Sequence, residues 1–242
     1  GDWFEPLMTE PALADRFRLL RYHRVGYAGC SRAATAPSIR DQAMHLQALL
    51  RHVGVTRAHI VGHSSGGNIA IELALLAPEM VAWIALLEPA IPVAPRSDAR
   101  LLSTGSRGSV AMERFRAGDR AGAVDAFMQI VAGPDYRAAL DSALPNAFAH
   151  AVRDADTFFT QELPAIQQWS FSPHIRKRVT QPVLAVLGEK SRDVAPIWPQ
   201  RQQLLLDSLQ NVEAFELRGA THLLHLQQPK AMAEALAAYA GG

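Results

Sequence analysis

AHIVGHSSGG, residues Ala58–Gly67, joins a short apolar run to a second run with helical periodicity. Ala58–Val61 is aliphatic, which is typical of a buried strand, whereas Asn68–Leu76 carries the spacing of a helix. Between them lies a Gly-x-Ser-x-Gly pattern centred on Ser64. A strand, this pattern and a helix in that order indicate a nucleophile elbow, a tight turn that lifts a serine hydroxyl above a sheet edge. The alternative is a plain turn rich in glycine and serine.

The elbow also supplies a group that can bind an anion. The helix after Ser64 directs the positive end of its dipole at the turn, and we predict that the backbone N–H of Ser65 binds a developing oxyanion. The turn is expected to need small residues two positions before and after the serine, which Gly62 and Gly66 provide. Gly67 is expected to let another segment approach closely.

A serine hydroxyl needs a base within hydrogen-bond reach to act as a nucleophile. The chain has nine histidines. His222 follows the predicted strand Val212–Leu217, on a loop that leaves the same sheet edge as Ser64, so we predict that His222 is the general base. His225 is interpreted as a packing residue or a solvated neighbour, and His63 as a structural residue of the elbow.

Strands and helices alternate along most of the chain, which predicts an α/β fold with a mostly parallel sheet covered on both faces. The predicted strands are Arg18–Tyr22, Ala58–Val61, Val81–Leu87, Pro182–Leu187 and Val212–Leu217. The predicted helices are Ser38–Arg51, Asn68–Leu76, Gln200–Leu209 and Pro229–Tyr239.

Residues 92–178 break this alternation. They contain no β-branched run, and prolines divide them into short segments of helical spacing. We predict a helical cap at 92–178, inserted in a core formed by 1–91 and 179–242. Its apolar side chains are candidates for a pocket wall, with packing between cap helices as the alternative. These candidates are Phe127, Met128, Phe158, Phe159 and Trp169.

The composition disfavours several classes of partner. Lys and Arg number 24 against 23 Asp and Glu, so no excess of charge favours nucleic acid or an anionic membrane. No apolar run approaches the roughly 20 residues that span a bilayer. Cys30 is the single cysteine, so no internal disulfide can form, which fits a reducing, cytoplasmic location. We expect a small-molecule substrate, no metal and no organic cofactor, and the composition allows a homodimer.

The motifs resemble those of the α/β-hydrolase superfamily. Ile60–Gly67 matches the family's elbow, Tyr22–Ser31 is similar to the loop after its fourth strand, and Gly219–His222 is similar to its histidine loop. The predicted cap stands where the family carries one, after strand six. The resemblance implies a triad in the chain order serine, acid, histidine. Strands one to three of the family have no counterpart here, so we expect the natural protein to be longer.

The resemblance leaves two positions open for the acid of the triad. Most members carry an aspartate after strand seven, where this chain has Ser191, and Asp193 lies two residues further along the same loop. Glu88 directly follows the apolar strand Val81–Leu87, a location where one group of haloalkane dehalogenases and certain lactone hydrolases use a glutamate. Because a buried glutamate is costly without a partner, we favour Glu88 over Asp193. A glutamate that caps a loop N–H is the structural alternative.

The expected activity is hydrolysis of a carboxylic ester or lactone through an acyl-enzyme on Ser64. Hydrolysis of a carbon–carbon bond by the same triad is the alternative enzymatic function. A ligand-binding relative with weak catalysis is the other alternative, because fold does not fix function.

Overall fold

The computed structural model describes residues 1–93 and 107–241, and within them the sheet has four strands. The strands lie side by side in chain order: β1 (Ala58–His63), β2 (Val81–Leu87), β3 (Val183–Gly188) and β4 (Val212–Leu217). All three pairings are parallel. The predicted α/β fold with a parallel sheet is therefore confirmed. Because the strands are parallel, all four carboxyl ends meet at one edge, which is where such sheets place their sites.

Helices surround the sheet on both faces. Before β1 the chain forms a 3-10 helix at Asp2–Phe4, α1 (Glu5–Met8), α2 (Pro11–Ala14) and α3 (Ile39–His52), and after β1 it forms α4 (Ser65–Leu76) and a 3-10 turn at Pro78–Met80. Between β2 and β3 lie α5 (Arg107–Arg116), α6 (Arg120–Ala132), α7 (Tyr136–Ala143), α8 (Ala147–Arg153), α9 (Ala155–Thr157), a π-helix at Phe158–Glu162, α10 (Leu163–Gln168) and α11 (Pro173–Arg178). After β3 come α12 (Ser191–Val194) and α13 (Ile197–Ser208), and after β4 come α14 (Leu224–Gln227) and α15 (Pro229–Gly241). Among these described helices, none has both the length and the apolarity to cross a membrane.

Ser38 and Asp41 fix the start of α3. The Ser38 hydroxyl accepts from the Asp41 N–H at 3.1 Å, and the Asp41 carboxylate accepts from the Ser38 N–H at 2.9 Å. This reciprocal capping box satisfies two backbone donors that the first helical turn would otherwise leave unpaired. The apolar face of the helix then packs in the core through Ile39, Ala43, Leu46 and Leu50.

Alternate residues of β2 pack on opposite faces of the sheet. Ile84 and Leu86 join a core cluster with α3, α4 and α13, whereas Trp83, Ala85 and Leu87 join a second cluster with α1, α2 and α15. Both faces of the central strands are thus buried. This explains why β2 and β3 are apolar at nearly every position instead of alternating with polar residues.

The helices between β2 and β3, residues 107–178, are called here the inserted helices. Those from Ala111 to Leu163 form a third cluster, which also includes Leu223 and Leu226 from the segment after β4. Ala165 and Phe171 instead belong to the cluster around α3 and α4. The inserted helices therefore pack on one another up to Leu163 and on the sheet after it. Residues 94–106, the start of the predicted cap, lie outside the described residues.

The predicted strand Arg18–Tyr22 is wrong. Residues 18–24 form no strand, and Leu20 is 48% exposed. A strand needs a neighbour to accept and donate its backbone hydrogen bonds. Here the segment faces a cavity of about 770 Å³, and both Tyr22 and Ile60 of β1 line it. The apolar side chains that suggested a strand therefore border this cavity.

Replacing Ser38 by Ala should lower the free energy of unfolding by about 1 kcal/mol, because the variant loses the N-cap acceptor of α3. Urea denaturation measures this change. Ser38→Thr keeps the hydroxyl and is the matched control, with stability close to that of the wild-type chain. Equal stability of the Ala and Thr variants would contradict the importance of the capping box.

Candidate active site

Ser64 lies at the sharp turn between β1 and α4. Its φ is 51° and its ψ is −122°, a backbone conformation that residues with a side chain rarely adopt. Two backbone hydrogen bonds join it to residues 87–90: the Ser64 N–H donates to the Leu87 carbonyl at 3.0 Å, and the Ala90 N–H donates to the Ser64 carbonyl at 3.1 Å. The segment that follows β2 thus fixes the strained turn. Ser64 lines the large cavity.

Two glycines are required around this turn. A Cβ at Gly62 would lie 2.4 Å from the Gly66 carbonyl oxygen, and one at Gly67 would lie 2.6 Å from Cβ of Pro89. The close approach expected at Gly67 is therefore that of the segment after β2. The expectation that position 66 needs a small residue is wrong, since a Cβ at Gly66 would meet no neighbouring segment within 4 Å. The crowding falls on the Gly62 side of the turn because Gly62 faces the Gly66 backbone.

Ser65 is the first residue of α4, which begins three residues before the predicted start at Asn68. A first-turn N–H has no acceptor within its own helix, so the Ser65 amide stands at the positive end of the α4 dipole with no intrahelical partner. The Ser65 side chain points elsewhere. Its hydroxyl is buried and donates to the carboxylate of Glu162.

Glu88 connects β2, β3 and the loop that carries His222. It directly follows β2, has a φ of 43° and is 2% exposed. Its Oε1 accepts from the Gly188 N–H at 2.8 Å, and its Oε2 lies 2.8 Å from Nδ1 of His222. A carboxylate at this position holds the His222 proton on Nδ1, which leaves Nε2 as an acceptor. Burial raises the pKa of Glu88 to about 7, and the Ser191 hydroxyl and the Gly188 N–H oppose this rise.

Asp193 does not share this environment. It lies in the short helix α12 and its side chain is exposed. His222 Nδ1 donates its hydrogen bond to Glu88 instead. Ser191, where the resembled family commonly has aspartate, is fully buried.

Two aromatic rings enclose the His222 imidazole. Trp198 stacks on it with ring centroids 4.1 Å apart and an angle of 16°, and the His63 ring lies 4.5 Å away on a tilted plane. His63 is also 2.7 Å from the His222 carbonyl oxygen through Nε2, which therefore donates. Burial, reinforced by the positive charge of Arg201, lowers the pKa of His222 to about 3. The ring is therefore neutral near pH 7, as a general base must be.

His225 is a packing residue. It is fully buried, its ring stacks on Phe4 at 4.6 Å, and neither ring nitrogen has a hydrogen-bond partner among residues 1–93 and 107–241. Burial holds its pKa well below the usual value for histidine. An imidazole in these surroundings stays neutral, and its two bare nitrogens cost folding free energy.

The inserted helices provide apolar side chains to the cavity that Ser64 also lines. Four of the five predicted wall residues line it, namely Phe127, Met128, Phe158 and Phe159. Trp169 is not among the lining residues: its indole N–H donates to Glu72 at 2.8 Å, and its ring stacks on Phe171. Within the described part of the chain, no group of three or more His, Cys, Asp or Glu residues is arranged to hold a metal ion.

Residues 1–235 match the model of the Alpha/beta hydrolase family. The chain belongs to this family. The predicted superfamily is thus confirmed, and the protein is an α/β-hydrolase enzyme.

Two curated relatives illustrate how the α/β-hydrolase matches its family. It is 26% identical over 215 residues to a Stutzerimonas stutzeri protein named carbamate hydrolase RutD, across 88% of this chain and 77% of the relative. It is 32% identical over 90 residues to the dihydrolipoyllysine-residue acetyltransferase component of an acetoin cleaving system from Pseudomonas putida. That shorter match spans 37% of this chain and about a quarter, 24%, of the larger protein.

Solved structures share the fold of this α/β-hydrolase. An esterase from Thermogutta terrifontis aligns with a TM-score of 0.80 at 16% identity, over 99% of this chain and 85% of the esterase. An enol-lactonase from Burkholderia xenovorans LB400 aligns with a TM-score of 0.74 at 18% identity, over 100% of this chain and 86% of the lactonase.

Sequence reasoning missed several residues around the α/β-hydrolase site. Trp198 lies in α13, and its indole N–H donates to the Val131 carbonyl in α6 at 3.1 Å. Glu162 and Arg24 form an ion pair beside Ser65. The local sequence gives no signal for Glu162, because the polar Thr160 and Gln161 precede it, although a buried acid requires a partner. The partner of Glu162 is Arg24, which lies 138 positions away, and no pattern in the sequence links the two residues.

The folded protein should lose stability as the pH falls from 7.5 to 5.5. His63, His222 and His225 all have lowered pKa values because they are buried, so the unfolded chain takes up protons below about pH 6.5 that the folded chain does not. Glu88, whose pKa is raised, takes up a proton in the folded state over the same range and offsets one of the three. His225→Leu should therefore reduce the loss by about 1.4 kcal/mol in total between pH 7.5 and 5.5, because a histidine in the unfolded chain, with a pKa of about 6.5, is only partly protonated across this range.

Urea denaturation at a series of pH values measures this loss. His45→Leu is the matched control, because it removes a histidine whose side chain is exposed. The same loss in His225→Leu and in the wild-type chain would show that His225 takes up its proton in the folded state.

Proposed function

We propose that the protein hydrolyses carboxylic esters or lactones through an acyl-enzyme on Ser64. The observation that carries this proposal is the hydrogen bond of 2.8 Å between Glu88 and Nδ1 of a neutral, buried His222, next to a cavity lined by His222 and Ser64. A strained serine, a neutral imidazole and a buried acid are the three parts that acyl transfer requires. They come from the ends of β1, β2 and β4.

In the first half of the reaction the Ser64 Oγ attacks the substrate carbonyl carbon while His222 Nε2 takes the hydroxyl proton. The carbonyl oxygen becomes an oxyanion, which the Ser65 N–H binds at the start of α4. The tetrahedral intermediate then collapses, the C–O bond to the leaving group breaks, and His222 returns the proton to the leaving oxygen. In the second half, water attacks the acyl-enzyme with His222 as base, and the acid is released from Ser64.

Among the described residues, the hydroxyl of Ser64 and the ring of His222 share no hydrogen bond. The mechanism therefore includes a step in which these two groups approach each other. Catalytic hydrogen bonds are commonly long in the free enzyme and shorten when substrate binds. The rest of the site is already in place. Glu88 and Trp198 hold the His222 ring, and the backbone hydrogen bonds of Ser64 hold the elbow.

The cavity favours a substrate with an apolar acyl group. Phe127, Met128 and Phe158 border it beside the site, and their side chains offer dispersion contacts but no hydrogen bonds to a substrate. A carbamate differs from an ester by an N–H on the carbonyl carbon. It is therefore the natural competitor substrate, given the relative named a carbamate hydrolase.

Glu88→Gln should reduce kcat on a reporter ester by about 10²–10⁴-fold, because the amide no longer stabilises the imidazolium that forms in the transition state. Asp193→Asn is the matched control and should keep the wild-type rate, because Asp193 is exposed and Glu88 is the residue bonded to His222. Steady-state kinetics with p-nitrophenyl esters, a lactone series and a carbamate, with Ser64→Ala as the blank, measure both. A loss of rate in Asp193→Asn with full activity in Glu88→Gln would reassign the acid.

Phe127→Ala should shift the preference of the enzyme towards longer acyl chains. The substitution opens the apolar wall, and kcat/KM for a decanoyl ester relative to a butanoyl ester should rise by about 10-fold. Phe115→Ala removes a ring of the same size from the inserted helices. Phe115 stacks on Phe159 at 4.8 Å but is not a lining residue, so the ratio should not change. Equal ratios in the two variants would place the acyl group elsewhere.

A further inference from the structure

The buried carboxylate of Glu162 makes several polar contacts that the proposed reaction does not explain. It is 6% exposed and lies in the π-helix Phe158–Glu162, a helix distortion that often marks a functional site. Arg24 donates from one guanidinium nitrogen to both carboxylate oxygens, at 2.8 Å each. The hydroxyls of Tyr27 and Ser65 also donate to the carboxylate. Arg24, together with these two hydroxyls, lowers the pKa of Glu162 against the opposing effect of burial.

The same segment joins the inserted helices to the loop Tyr22–Ser31. Thr157 donates from its hydroxyl to the Gly26 carbonyl at 2.8 Å, and the Ala28 N–H donates to Asp154 at 3.1 Å. A Cβ at Gly26 would lie 2.7 Å from Thr157, so only glycine allows this approach. Glu162 is therefore held in place by neighbours on two separate segments.

The position of this carboxylate raises an electrostatic problem. Its hydrogen bond to the Ser65 side chain places a full negative charge beside the residue whose N–H binds the oxyanion. An unpaired anion there would oppose the charge that develops in the transition state. Arg24 supplies the compensating positive charge, and its other terminal nitrogen is fixed by Gln42 at 2.9 Å.

We propose that Arg24 and Glu162 are positioning residues for the oxyanion site: Glu162 anchors Ser65 at the start of α4, and Arg24 cancels the charge of that anchor. The inference rests on the proposed role of the Ser65 N–H. It assigns a separate function to each residue of the ion pair. Loss of Arg24 alone exposes the oxyanion to an uncompensated carboxylate, whereas loss of both charges removes the repulsion together with the compensation.

The test is a double-mutant cycle with Arg24→Met, Glu162→Gln and the double variant, measured as kcat and KM on a p-nitrophenyl ester. We expect Arg24→Met to lose about 10²-fold in kcat, Glu162→Gln to lose less than about 10-fold, and the double variant to regain most of the loss of Arg24→Met. KM should change little, because the effect falls on the charge that forms in the transition state. Arg120→Met is the matched control. It breaks a more exposed ion pair with Asp156, which lies in α9 directly before the π-helix of Glu162, and kcat should not change.

A purely structural tether gives a different result. The double variant would then be as slow as Arg24→Met or slower, and this outcome would overturn the inference. If Arg24→Met alone does not fold, the same question is put in the Glu162→Gln background, where adding Arg24→Met should cost less than about 10-fold in kcat. A 10²-fold loss in that background would also overturn the proposal.

The wild-type and Ser64→Ala rates separate this inference from the function on which it rests. A wild-type chain without any Ser64-dependent rate on the substrate panel removes the proposed function, and the inference falls with it. A Ser64-dependent rate together with an additive cycle leaves the function intact and removes the role of the ion pair alone.

Discussion

Both oxygens of the buried Glu88 carboxylate need hydrogen-bond partners, and the two partners lie on different segments of the chain. One oxygen takes the Gly188 N–H at the end of β3, and the other takes Nδ1 of His222 beyond β4. Because an unpaired buried acid would be very costly, this residue ties the ends of three strands to one geometry. Its own left-handed backbone, with φ 43°, is part of what this arrangement costs. The orientation and tautomer of His222, the proposed base, depend on that pair, whereas burial and the charge of Arg201 keep the ring neutral.

Strain at Ser64 is supported by the same part of the molecule. The segment Leu87–Ala90 accepts from the Ser64 N–H and donates to the Ser64 carbonyl, and Pro89 packs where only glycine fits at position 67. The acid, its strand end and the elbow therefore form one unit. A change that moves the chain after β2 would disturb the proposed nucleophile, Ser64, and the proposed base, His222, together.

The inserted helices reach this unit from two sides. Val131 accepts from the indole of Trp198, whose ring stacks on His222, and Glu162 accepts from the hydroxyl of Ser65. One contact bears on His222, the proposed base, and the other on Ser65, whose N–H is the proposed oxyanion donor. In addition, Phe127 and Phe158 border the cavity. The insertion is thus joined to the site through hydrogen bonds as well as through the apolar wall.

The sequence predicted the parts of this structure whose signal is local. The four strands of the sheet, the elbow and the histidine loop each show in a run of a few residues, and Val81–Leu87 and Val212–Leu217 have the predicted bounds. The burial cost of a glutamate after an apolar strand also favoured Glu88. Arg18–Tyr22 was mistaken for a strand because its apolar side chains give the same local pattern while lining a cavity. Contacts between distant segments, such as Arg24 with Glu162 and Trp198 with His222, left no local pattern to detect.

The most direct measurement of the central claim is covalent labelling with a fluorophosphonate, followed by intact mass and peptide mapping of the folded protein. The probe reacts with a serine that is activated by a neighbouring base and placed beside an oxyanion site. The account predicts a single adduct on Ser64, formed rapidly in the wild-type chain and very slowly in His222→Ala. Labelling at Ser65, or the absence of any adduct on a chain that circular dichroism shows to be folded, would contradict it.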